Sequence, residues 1–130
     1  MKNIVLGRVT LEPLSVDIMV KTGELIRDKG LNTKLKSSSL INGAGVGLFV
    51  AGVERMVEDN STIYVSSWKT NSGKYGADID INDSIHTSQI DYYNKMLGDV
   101  QGKPFYIFSL NKKGKVMSND EISEYGLVTQ

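Results

Sequence analysis

Eleven consecutive residues, Gly43 to Val53, carry no polar side chain: Gly43-Ala44-Gly45-Val46-Gly47 leads directly into Leu48-Phe49-Val50-Ala51-Gly52-Val53. A helix built from the second half is apolar on every side, so it must be surrounded by protein, with its N-terminus enclosed. Everything else in the chain has to supply that surround. At 130 residues there is material for one core and not two, so residues 1–130 are expected to form a single compact domain.

The flanking segments suit that task. Asn3 to Leu11 is rich in Ile, Val and Leu and stops at Glu12-Pro13, which predicts a buried strand. Val16, Met19, Val20 and Ile26 recur at helical spacing opposite Asp17, Lys21, Glu24 and Asp28, and Gly30 follows in the position that ends a helix. Leu31, Thr33 and Leu35 alternate with Asn32, Lys34 and Lys36, the period of a strand with one wet face. The opening therefore reads β-α-β. Beyond the glycine cluster, Arg55-Met56-Val57 and Thr62 to Ser66 read as two strands of the same sheet joined by Glu58-Asp59-Asn60-Ser61. Lys69 to Asp83 has no helical period and reads as a surface excursion suited to mobility or to a partner. A helix from Thr87 to Gly98, helical continuation over Phe105 to Leu110, and a capping box at Ser118-Asn119-Asp120-Glu121 before Gly126 complete an α/β fold.

Composition removes several functions. Lys plus Arg equals Asp plus Glu at 15 each, so there is no net basic field for a phosphate backbone, and no nucleic-acid partner is expected. No cysteine is present, which excludes disulfides, thiolate nucleophiles and Cys-type zinc. After Lys2 only Ile4 to Leu6 run apolar, too short for a signal core or a membrane span, so a cytoplasmic protein without membrane partner is expected.

Few residue patterns carry chemistry. The glycines at 43, 45 and 47 lack G-x-G-x-x-G spacing because position 48 is Leu, and no Lys-Ser/Thr follows for a phosphate loop. Close backbone packing, or amides at Gly43, Ala44 and Gly45 arranged as an oxyanion-type site, remain. Asp78, Asp80 and Asn82 imitate a calcium loop, but Asp83 stands where Gly is needed and Gln89 where a bidentate Glu is needed. No metal and no cofactor are expected. His86, the single histidine, reads as a surface or capping residue, and Ser37, Ser38, Ser39, Ser66 and Ser67 lack a recognisable base. Trp68, Tyr92 and Tyr93 suit a ligand platform or anchors in a core or interface.

The order of elements, together with three segments, resembles the ClpP/crotonase superfamily, ClpP-like serine proteases (peptidase S14-like) in particular. Gly23 to Leu31 looks like the helix and turn after the first sheet strand, Phe49 to Arg55 like the end of the nucleophile helix, and Ser118 to Val128 like the ending S-x-x-E-A-x-x-Y-G-L-V. The resemblance covers about Val9 to Thr129 and implies a β-α-β spiral. It also implies that the catalytic set is degenerate. The family's Ser-Pro-Gly-Gly is Glu12-Pro13-Leu14-Ser15 here, its nucleophile falls on Gly43 with Gly45 as the next register, its base on Ser66, and its acid is replaced at best by Asn111. A noncatalytic protein acting in assembly or binding is implied, as a homo-oligomer or a mixed oligomer with an active ClpP-like paralogue. Tyr92, Tyr93 and Phe105 are the expected interface residues, because the aromatic residues of the later helices exceed what one small core holds. Two alternatives stay open: a serine hydrolase with its nucleophile moved to Ser39 or Ser66 and its base to His86, and crotonase-type acyl-CoA binding at the Gly43 to Gly45 amides.

Overall fold

The computed structural model describes residues 3–6 and 16–129. The expected strand end at Glu12-Pro13 and the segment through Ser15 lie outside the described residues. Within them the order is β1 (Asn3–Leu6), α1 (Val16–Asp28), β2 (Asn32–Leu35), β3 (Leu40–Asn42), α2 (Ala44–Phe49), β4 (Arg55–Val57), β5 (Thr62–Val65), α3 (Thr87–Leu97), α4 (Gly102–Ser109), β6 (Lys115–Val116) and α5 (Asn119–Glu124).

The strands form two sheets rather than one. The first is parallel throughout in the order β1-β2-β4, and the second, β3-β5-β6, is parallel between β3 and β5 and antiparallel between β5 and β6. The chain passes from first sheet to second twice, after β2 and after β4, so β4 and β5 are not neighbours in one sheet as their sequence suggests. Each crossing contains one non-glycine residue in the left-handed region, Ser38 at φ 62° and Asn60 at φ 63°. The two corners also bond to each other: Ser38 N donates to Asp59 O, Ser37 Oγ to the same carbonyl, and Ser61 Oγ to Lys36 O. A fourth bond, from Ser37 N to the Glu58 carboxylate, holds that carboxyl below its ordinary value, helped by Lys34.

Helix α2 lies at the centre, with Phe49, Val50 and Ala51 fully buried. Covering Phe49 completely stabilises the fold by roughly 1.5–3 kcal/mol. The helix occupies Ala44–Phe49, earlier than the apolar run from Leu48 indicates, because its last carbonyls are taken by side chains instead of by another turn. Thr33 Oγ1 donates to Phe49 O at 2.6 Å, and the guanidinium groups of Arg27 and Arg55 cover Val50 O, Ala51 O and Gly52 O. From outside, α1 closes the layer with Met19, Gly23 and Ile26, and α3 reaches α2 through Tyr92, whose hydroxyl donates to Gly47 O at 2.6 Å.

Helix α4 starts three residues before the expected Phe105, with Pro104 inside its first turn, where a missing N–H costs nothing. The 69–83 excursion is anchored rather than loose: Gly76 N donates to Trp68 O, Ala77 N to Ser67 Oγ and Thr70 N to Lys74 O. At α5 the capping box is present in full, Glu121 N donating to Ser118 Oγ and Ser118 N to the Glu121 carboxylate. Ser118→Ala is expected to cost about 1 kcal/mol in urea unfolding. The Ser118 N–H bond holds the Glu121 carboxyl below its ordinary value, with Lys115 assisting. That contribution is therefore present above the unfolded carboxyl value and lost as pH falls through the folded one.

Candidate functional site

One residue, Gly43, joins β3 to α2. Its backbone, φ 51° and ψ −122°, is a sharp strand-to-helix turn in the left-handed half of conformational space, and a Cβ built there would meet nothing within 4 Å. Register carries β5 alongside: Asn42 pairs with Tyr64, so the residues just past the two strand ends sit together. There a half-open cleft of about 320 Å³ forms, with Gly43, Ala44, Ser66, Ser67 and Trp68 around it. Its apolar wall comes from Met19 of α1, Val46 of α2, Val65 of β5 and the rings of Tyr93 and Phe105. Asn42 and Gln89 bring carboxamides from the end of β3 and the first turn of α3.

The two positions matched to nucleophile and base, Gly43 and Ser66, thus share one cleft, and Asn111 does not line it. Asn111 O accepts from Ser67 N at 2.9 Å, while its side chain turns back to accept from Lys113 N at 3.0 Å. Of the three amide candidates Gly43 and Ala44 line the cleft and Gly45 is buried behind it. Ser39 precedes β3, at the strand's far end from the cleft, and is buried there.

The reading of His86 as a surface or capping residue is corrected: its side chain is fully buried. The ring Nε2 faces Ile79 O at 3.2 Å, and a carbonyl only accepts, so this nitrogen carries the hydrogen. In the neutral ring Nδ1 then accepts from the Tyr106 hydroxyl at 2.7 Å, and Tyr106 in turn accepts from Trp68 Nε1–H at 3.2 Å. The chain Trp68 to Tyr106 to His86 to Ile79 is closed. The imidazole's one lone pair is committed to Tyr106, which leaves none for a serine. The network instead fixes Trp68, whose ring also packs so tightly on Gly76 that a Cβ there would lie 2.5 Å from it.

The expected interface residues are corrected as well. Tyr92, Tyr93 and Phe105 are 3%, 6% and 0% exposed and belong to the interior. Tyr93 meets Tyr92 edge-on at 5.4 Å and Phe105 at 5.3 Å, so the rings that looked too many for one core fill it by packing on one another. Burial pushes the Tyr93 and Tyr106 phenols above their ordinary values, so both keep their protons at neutral pH. Among the described residues, the cleft is lined by no Asp, Glu, His, Lys or Arg.

Other expected sites are used up locally. Asp78 pairs with Lys112 at 3.0 Å, Asp80 accepts from Asn82 N and Asp83 from Ile85 N. Among the described residues no three acidic or histidine side chains are placed to hold a metal, and no helix is long and apolar enough to cross a membrane. Sequence reasoning passed over Asn42 and considered Gln89 only as an unsuitable calcium ligand. Asn42 adjoins the glycine turn, the only local signal available, and nothing local distinguishes Gln89.

Neither protein-family models nor curated protein sequences match the chain. Its fold is similar to that of a number of solved structures. One is a peptidase from Plasmodium falciparum, with a TM-score of 0.56 and 14% identity over 99% of this chain and 76% of that one. Another is a crystal structure assigned to an enoyl-CoA hydratase from Streptomyces avermitilis, with a TM-score of 0.50 and 14% identity over 90% of this chain. The chain spans 37% of that hydratase's length. At these identities the likeness is one of mixed α/β fold.

Proposed function

We propose that this chain is a noncatalytic ClpP-like protein, a β-α-β spiral in which the cleft at the head of the central helix serves as a binding site. The observation that carries this reading is the cleft's chemistry: Gly43 stands at the strand-to-helix turn, and no described residue around it titrates near neutrality. A hydroxyl becomes a nucleophile only with a base within hydrogen-bond reach. Ser67 Oγ donates to Trp68 O and accepts from Ala77 N, and Ser66 has no imidazole or carboxylate beside it among the described cleft residues. Binding is preferred over assembly because the aromatic side chains that argued for assembly are spent in the core.

The test is labelling with a fluorophosphonate probe. No serine of the native chain is expected to react, nor any in the Gly43→Ser/Ser66→His double variant, which still lacks an acid to orient the new imidazole. Stoichiometric labelling of the native chain, abolished by His86→Ala, would overturn the noncatalytic reading.

A further inference from the structure

We infer that the cleft selects a small uncharged ligand with a flat apolar body and an amide-like end. This rests on the binding reading above and adds the ligand's class.

Three features of the cleft converge on that chemistry. Its inner wall is apolar: Met19, Val46 and Val65 are each under 5% exposed, and the Tyr93 and Phe105 rings complete it. Its side wall is Trp68, held in place by its bond to Tyr106 and by contact with Gly76, so a flat ring meets a preformed surface. Of the polar side chains around it, Ser67, Ser109 and Tyr106 are already bonded within the protein, whereas Asn42, Ser66, Gln89 and the Tyr93 hydroxyl form no side-chain hydrogen bond within the described residues. Each offers both a donor and an acceptor without charge. An amide matches them, since it too donates and accepts without carrying charge.

Charge is what the cleft rejects. An ion entering it sheds water and finds, among the described lining residues, no opposite charge to replace it. The apolar volume favours a ring of modest size, since sites of roughly 300–1,000 Å³ bury small organic ligands well.

An isosteric series separates these terms: benzamide, benzoate and benzamidine share a ring and a planar substituent and differ in charge. Each is titrated into the full chain, following the Trp68 indole N–H and the Gln89 carboxamide by two-dimensional nitrogen-proton NMR. Benzamide is expected to move both signals saturably, with benzoate and benzamidine weaker by at least about tenfold. Gln89→Leu should weaken benzamide, and Ser66→Asp, at an exposed position, should turn the preference toward benzamidine. Benzoate or benzamidine binding the native cleft as well as benzamide would overturn the ligand class while leaving the binding reading intact. If none of the three moves either signal, the binding reading itself fails.

Discussion

Arg55→Met is expected to lower the free energy of unfolding by about 3–5 kcal/mol, read from urea denaturation with an unchanged slope. Arg55 is 7% exposed, and its guanidinium meets only carbonyls: Leu127 O from Nε at 2.8 Å, Gly52 O from Nη1 at 2.9 Å and Gly126 O from Nη2 at 2.8 Å. Among the described residues no carboxylate accompanies it. Burial first, and the like charge of Arg27 second, push its pKa down to about 10, still far above neutrality, so it is a cation in the working protein. The compensation comes from the negative ends of backbone dipoles, including those at the C-terminus of α2. Removing the side chain takes the donor from two carbonyls, Leu127 O and Gly126 O, each costing about 1–3 kcal/mol before relaxation, while Gly52 O and Val50 O keep Arg27. It also loosens the segment after α5, which Nε and Nη2 hold at Leu127 O and Gly126 O, although the backbone bond from Thr129 N to Arg55 O is kept. Lysine cannot reproduce the fork, so Arg55→Lys should recover less than half of the loss. A loss under about 1 kcal/mol for Arg55→Met would show that water satisfies those carbonyls.

Gly52→Ala is expected to be nearly as damaging, at about 3 kcal/mol, through overpacking alone. A Cβ at Gly52 would lie 2.6 Å from Thr33 N and 2.3 Å from Thr33 Oγ1. Neither atom is free to retreat. Thr33 N donates to Glu54 O at 2.9 Å and Thr33 Oγ1 to Phe49 O at 2.6 Å, so moving β2 breaks the sheet contact or the close of α2. Because α2 carries Ala44 and Val46 into the cleft, the surviving folded fraction should also show a shifted Trp68 indole signal. Stability within about 0.5 kcal/mol of the native chain would mean that β2 and α2 separate more easily than these bonds imply.

Both substitutions act on features that the sequence does not display. Arg55 reads as a charged residue opening a short strand, and Gly52 as one small residue in an apolar run. Their importance arises from atoms about twenty to seventy positions away, which the fold brings against them. The same separation explains the other differences. Strands β3 and β6 have three and two residues, too few for alternation to register. Assigning β4 and β5 to different sheets depends on the bonds between residues 37–38 and 58–61, and the turn residues alone are equally consistent with a hairpin. His86 is buried because Tyr106 and Ile79 close around it, and Tyr92, Tyr93 and Phe105 are interior because α3 and α4 pack on each other.

What the sequence determined by itself was whatever is settled within a few residues or by the need to hide apolar surface. The Ser118 capping box, α3 beginning at Thr87, and Gly30 and Gly126 at left-handed helix ends are local hydrogen-bonding and backbone preferences. A buried helix within the stretch from Gly43 to Val53 follows from an apolar run that water cannot accept, although its start at Ala44 does not. The absence of a nucleophile at that turn is equally a matter of reading one residue. That Gly43 meets the strand end at Ser66 was implied by the resemblance; tertiary structure alone decided that Trp68 and Gln89 join them in one uncharged cleft, because bringing separate elements around one space takes long-range pairing that no local preference encodes.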